Sequence, residues 1–232
     1  MPHNWNKGFT KENHPSVRKI SDTMKQKHQD NFALWRVSMK KKGFIKSHYQ
    51  VLIKNGDLAE LIGVTLGDGH ICIYPRTEEL RIISNSNNPG FISRYALLID
   101  KVFSKKAYII KNSKSNSTKI GIYEKYISQR LGVPAGARKY LKIEVPRWII
   151  QNRLFIVRYL RGLYEAEGCF AVHPGTYTYK MMFSNRNTSL LDNVYYLLIK
   201  LGFHPHRSTN LIQISKKDEV FRLKTLLKFR EY

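Results

Sequence analysis

Two stretches of this chain share an unusual design. In LAELIGVTLGDGH (58–70) and RYLRGLYEAEGCF (158–170) an apolar, helix-like run carries an internal glycine and ends on an acid followed by glycine. Gly63, Asp68 and Gly69 recur as Gly162, Glu167 and Gly168, 99 residues on. Glycine inside a helix costs about 1 kcal/mol, so two at matching places imply close approach of two backbones. An acid at a helix C-terminus sits in the negative end of the helix dipole, and a second acid beside it adds like-charge repulsion. A divalent cation between the two relieves both problems. The pattern therefore predicts two helices in contact at a pseudo-twofold axis, delivering Asp68 and Glu167 to one place.

The text around these runs repeats as well. RIISNSNNPGFISRYALLIDKVF (81–103) lies over MMFSNRNTSLLDNVYYLLIKLGF (181–203), and KIGIYEK (119–125) over LIQISKK (211–217). Three matches in the same order imply duplication. Each copy reads helix, two strands, helix, two strands, helix. Asp57 is the expected N-cap of the first helix. Alternation over His70–Arg76 sends Ile71 and Ile73 inward and His70, Cys72, Tyr74 and Arg76 outward. The next strands send Leu80, Ile82, Ile120 and Ile122 inward, leaving Arg81, Ile83, Asn85, Lys119, Gly121 and Tyr123 on the opposite face. The predicted fold class is α+β, with two αββαββα repeats forming a saddle of antiparallel sheets. The expected divisions are a basic N-terminal arm over 1–50, a first repeat over 51–150 and a second over 151–232. The arm is rich in Lys, Arg and scattered aromatics but poor in aliphatic residues, with one short helix from Ser16 to Lys27 capped by Ser16.

Charge narrows the partner. Lys and Arg number 40 against 17 Asp and Glu, a formal +23. That excess, interleaved with aromatics, points to a polyanion, and nucleic acid comes first. Cys72 and Cys169 are the only cysteines and form no CxxC pair, so neither a zinc module nor a disulfide framework is indicated. His70 and His173 lack partners at ligand spacing and read as DNA-facing residues. The absence of a signal-like start and of an apolar run near ~18 residues predicts no membrane partner and an intracellular location, in a prokaryotic cytoplasm or nucleoid or in an organelle.

Leu61 to Gly69 and Leu160 to Gly168 lie without gaps along a nine-residue signature, and the chain resembles the LAGLIDADG homing endonucleases over about residues 50 to 228. LGVPAGARKYLKIEVPRWII before the second motif is similar to the family's inter-repeat connection. Two motifs imply the single-chain, monomeric form. The resemblance implies site-specific hydrolysis of double-stranded DNA at a long pseudo-palindromic site, by sheets seated in the major groove. It implies Mg²⁺, which Mn²⁺ or Ca²⁺ can replace in the site, held by Asp68 and Glu167 with the neighbouring Gly67 and Ala166. Leu66 stands where the signature usually has a further acid, which Glu165 keeps; that position is not the metal ligand. The family's polar side chain at the end of the second strand falls on Asn85 and Asn185. Its basic residue after the fourth strand falls on Lys125 and Lys217, with Lys216 a rival. Ordinary strand-end chemistry is the plain alternative for all of these.

Arg76, Arg81, Lys111, Lys114, Lys119, Arg186 and Arg207, with His70 and Tyr74, are candidate DNA contacts, and any one basic residue is more readily a phosphate contact than a base reader. The arm resembles the small DNA-binding segments attached to homing nucleases, with Lys7, Lys11, Arg18, Lys19, Lys25 and Lys27 as contacts; a solvated tail is the alternative. Two other functions fit the same fold: an intron maturase that binds RNA, and a regulator that binds DNA without cutting it.

Overall fold

The computed structural model describes residues 5–27, 30, 32–45 and 48–232. It forms two compact units, Met1–Tyr49 and Gln50–Tyr232.

In the first unit α1 (Pro15–Gln26) and α2 (Ala33–Lys41) bury no residue. α1 starts at Pro15 with His14 as its N-cap, two positions before the expected Ser16 cap, because proline's fixed φ suits the first helical residue. α2 was not expected. Trp5 and Phe9 gather around the His14 ring, at centroid separations of 6.0 and 4.5 Å.

The second unit has its own core. Its elements in order are α3 (Gly56–Gly67), β1 (Gly69–Tyr74), β2 (Thr77–Asn85), α4 (Pro89–Phe103), β3 (Tyr108–Lys111), β4 (Ser117–Glu124), α5 (Ile127–Leu131) and α6 (Arg147–Ile150). The second repeat adds α7 (Arg153–Glu167), β5 (Gly168–His173), β6 (Thr178–Ser184), α8 (Thr188–Lys200), β7 (His206–Ser208), β8 (Leu211–Ile214) and α9 (Lys217–Leu227). Each repeat builds one antiparallel sheet, in the orders β1-β2-β4-β3 and β5-β6-β8-β7. No helix among the described residues is long and apolar enough to cross a membrane.

The core lies where inward strand residues meet the helices behind them. Leu80, Ile82, Ile120 and Ile122 are buried as expected, as are Met181, Phe183, Ile212 and Ile214 in the second sheet. Ile71 is buried, but Ile73 is 69% exposed. The strand outruns the helix layer there, so alternation continues with nothing left to cover it. Arg76 lies in the β1–β2 turn and not on β1, which ends at Tyr74. Asn55, not Asp57, caps α3, its side chain accepting from Leu58 N–H at 2.9 Å. Asp57, within the first turn, instead pairs with Arg158 of α7.

Candidate active site

α3 and α7 pack through their glycines. A Cβ on Gly63 would stand 2.2 Å from the Tyr159 carbonyl oxygen, and one on Gly162 would stand 2.2 Å from that of Glu60. The two approaches are reciprocal, as a twofold relation requires. Further along, a Cβ on Gly67 would meet that of Ala166 at 2.4 Å. Only glycine permits this approach, and it brings both helix ends, with their acids, to the same spot.

Asp68 is the C-cap of α3, and Glu167 is the last residue of α7. Removal from water pushes the Asp68 carboxyl up to about 7, and the nearby Glu167 adds to the rise. Burial also raises Glu167. Both shifts show a site whose own electrostatics favours less negative charge than it carries. Glu165, two residues earlier, is committed elsewhere. It accepts from Arg230 N–H at 2.7 Å and from the Tyr232 hydroxyl, which takes it out of contention as a metal ligand.

The donor set fits a hard divalent cation. Asp68 and Glu167 offer carboxylate oxygens, and Gly67 and Ala166 lie beside them with backbone carbonyls, all oxygen ligands of the kind Mg²⁺, Mn²⁺ and Ca²⁺ prefer. Among the described residues no cluster of three His, Cys, Asp or Glu forms. Water and phosphate would complete the shell.

A cavity of about 620 Å³ opens beside Glu167 and Gly67, lined also by His70, Arg138, Lys139 and Asn185. Asn185 points its Nδ2 at Glu167, at 3.5 Å, while its Oδ1 accepts from Asn187 N–H at 2.8 Å. Asn85, its counterpart, is exposed and uses its Oδ1 on Asn87 N–H. The two asparagines are thus not equivalent. Arg138 was missed by sequence reasoning. It reaches in from the connection between the repeats and donates to the carbonyls of Thr65, at 2.8 Å, and Gly69, at 2.5 Å, flanking Asp68. Burial lowers its pKa, and burial followed by Arg81 and Arg138 lowers that of His70.

The structure does not bring Lys125 or Lys217 to the acids. Gly69 pairs with Ile82, which pairs with Ile120, whereas Glu124 pairs with Glu78 beside the far turn. Lys125 thus lies roughly 16 Å along the strand from the acid end. The second repeat runs the same way: Gly168 pairs with Phe183 and Phe183 with Ile212, and Lys217 lies five residues further, stacked 5.4 Å from the Tyr179 ring. Lys216 is held by Asp218 and Glu219. Arg138, Lys139 and Arg186 line the cavity beside Glu167 instead.

Of the candidate DNA contacts, His70, Arg81 and Lys119 lie on the outward sheet face, and Tyr74 hydrogen-bonds Glu79 there. Lys114 is exposed in the β3–β4 loop, and Arg186 lines the cavity. Lys111 pairs with buried Thr118 and so shares the inward parity of Ile109 at the sheet edge. Arg207 pairs with buried Ile212 and turns toward α8, where it bridges Asp192 at 2.8 Å. Both lie on short edge strands, where the ladder turns their side chains to the helix side. In the first unit Lys7, Lys11, Arg18 and Lys19 are exposed, and Arg18 Nε donates to the Lys11 carbonyl.

Residues 155–232 match the family model of the LAGLIDADG-like domain. A curated relative, the tRNA-splicing ligase RtcB of Pyrococcus furiosus, is 28% identical over 142 residues, 53% of this chain. The match spans only 14% of that protein's length. Among solved structures, mesophilic variants of the homing endonuclease I-DmoI superpose with a TM-score of 0.51 at 20% identity, covering 74% of this chain and 94% of that one. I-DmoI in complex with DNA and Mn gives 0.50 at 19%, covering 74% and 96%. The N-terminal LAGLIDADG domain of DUF199/WhiA gives 0.50 at 17%, covering 74% and 80%. These likenesses establish the architecture that the duplicated motif predicted: the chain carries the LAGLIDADG fold in its single-chain, two-motif form, with a LAGLIDADG-like domain over residues 155–232.

Proposed function

We propose that the protein is a site-specific endonuclease that hydrolyses double-stranded DNA with the help of divalent metal, most simply Mg²⁺. The observation that carries this reading is the meeting of Asp68 and Glu167, both raised in pKa, at the ends of two helices locked by Gly63 and Gly162. Structural relatives solved with DNA together with Mn, Ca or Mg support the choice of partner and ion class.

Asp68 and Glu167 would hold the metal. Bound there, divalent ions supply a more acidic water and neutralise charge on the phosphorus oxygens and the leaving oxygen. The chain's own groups do the rest. Arg138 and Lys139 place positive charge along the cavity wall, where they would meet a phosphate displaced toward Glu167. Asn185 steadies the Glu167 carboxylate through its amide. With both repeats in one chain, the protein works as a monomer on a long target whose two halves differ.

Asp68→Asn and Glu167→Gln are expected to abolish double-strand cleavage while leaving DNA binding largely intact, since each removes a metal ligand and no cation that would meet the DNA. If the reading frame lies inside an intron, the joined exon sequence is the DNA to test, with Mg²⁺ and with a chelator. Full cleavage by either variant would refute the assignment. Tight binding to intron RNA with no DNA cleavage would favour a maturase, and DNA binding without cleavage a regulator.

A further inference from the structure

The outward face of the first sheet carries a buried acid, an odd thing on a surface meant for a polyanion. The Glu79 side chain is 2% exposed. Three phenols close over it: Tyr108 donates to Oε1 at 2.6 Å, Tyr123 to Oε1 at 3.1 Å and Tyr74 to Oε2 at 3.0 Å. They come from β3, β4 and β1, so every strand of the sheet converges on one carboxylate. These bonds offset the cost of burial and hold Glu79 ionised, below its usual range.

Gly121 makes the cluster possible. Tyr108 stands opposite Gly121 in the ladder, yet its hydroxyl reaches Glu79 in the neighbouring row. It does so by crossing the empty place above Gly121, where a Cβ would meet the Tyr108 hydroxyl at 2.6 Å and its Cζ at 2.9 Å. The glycine, the tyrosine and the acid are parts of one arrangement.

That arrangement surrounds Arg81. Arg81 lies between His70 on β1 and Gly121 on β4, and its Nη1 stands 3.9 Å from Glu79 Oε2. The Nε is buried and without a hydrogen-bond partner, and the side chain is 31% exposed. The guanidinium is therefore oriented by charge and walls, with its Nε shut away and the exposed part of the side chain limited to its outer end. Glu79 cannot itself read a base, since its oxygens are covered and occupied. The three phenol protons are all engaged by it.

We infer that Arg81 is a preorganised guanine reader for the half-site facing the first sheet, with Glu79, Tyr108 and Gly121 as positioning residues. The fork of a guanidinium matches the O6 and N7 acceptors of guanine in the major groove, and a fork already held in place loses little freedom on binding. Lys114 and Arg186, both exposed, have no such walls and suit contact with phosphate rather than base edges. The second sheet has no such device among its described residues: the ladder positions Cys169, Met182, Gln213 and His206 stand in the corresponding row. Guanine reading by a fixed arginine is thus confined to one half of the target.

The inference rests on the endonuclease reading above, and one experiment separates the two. The full chain is incubated with a library of randomised duplex DNA in Ca²⁺, and bound molecules are sequenced for wild type, Arg81→Ala, Arg81→Lys and Tyr108→Phe. The expected wild-type result is a fixed site containing a guanine that Arg81→Ala, and to a lesser degree Arg81→Lys, no longer prefers. At that position alone the preference, about tenfold or more, falls below about twofold. Tyr108→Phe lowers the melting temperature, because it takes a donor from the buried Glu79, and it weakens the same preference while preferences elsewhere stay put, which a merely structural role would not produce. A uniform fall in affinity with every base preference retained would make Arg81 a phosphate contact and overturn the inference alone. A wild-type protein that selects no sequence would overturn the endonuclease reading and this inference with it.

Discussion

Asp68 shows how a single side chain ties pH to metal. Its carboxyl is raised from 3.8 to about 7, first by burial and then by Glu167. Between those values the folded chain keeps a proton that the unfolded chain has released. Stability without metal is therefore full below the lower value and declines as pH rises through the upper one. Deprotonation is also what readies the oxygens for a cation. Two results follow in thermal unfolding. Ca²⁺ should raise the melting temperature more at pH about 8 than at about 6. In chelator at the higher pH, Asp68→Asn should melt above wild type, an advantage that fades on acidification toward pH ~4. Equal Ca²⁺ shifts at both pH values would dissociate Asp68 from the ion.

For the helices, the question is whether backbone propensity or packing decides the fate of Gly63 and Gly162. Alanine in place of helical glycine gains up to about 1 kcal/mol in propensity. Against this, the added methyl would fall 2.2 Å from a backbone oxygen of the opposite helix, which no rotamer change can relieve. Overpacking of this kind costs about 1–3 kcal/mol or more, so packing wins. Gly63→Ala and Gly162→Ala should each lower the unfolding free energy in urea, and neutral behaviour of both would show that the helices can part without penalty. These glycines could be read from the sequence because duplication marked them. The strands' inward rows were equally legible from alternation, as far as the helix layer extended. The basic residues at the acids were not. Parity tells which face a side chain takes but not which end of the sheet it occupies, and β4 runs away from Asp68, carrying Lys125 with it. Arg138 sits in an aperiodic connection, and only the fold brings it beneath the end of α3. Its one sequence signal was a basic pair following Gly136 and Ala137.

At the scale of the whole molecule, the Met1–Tyr49 unit and the Gln50–Tyr232 unit differ in kind. The first unit buries no residue of its helices and presents Lys7, Lys11, Arg18 and Lys19 to solvent, and the proposal for it is sequence-independent attraction to phosphate. A chain lacking residues 1–49 should keep its cleavage site preference but show a shallower dependence of log affinity on log salt, by about 0.9 for each phosphate that the first unit neutralises. An unchanged slope would leave the unit a solvated appendage. The larger unit carries its own core and both acids, and it should fold and melt cooperatively without the first.

The glycine seam between α3 and α7 is nearly symmetric, yet the charges across it are not. Glu60, fully buried on α3, takes Arg158 at 2.5 Å and Arg161 at 3.7 Å from α7, and Arg94 from α4. If the two repeats were separate molecules, α3 pairing with another α3 would bury acid against acid, and α7 with another α7 would crowd four guanidiniums. Only the mixed pair brings the α7 arginines to the buried acid of α3. The helices thus carry a lock and key that distinguishes self from partner, so that halves severed between the repeats would seek each other and refuse their own copies.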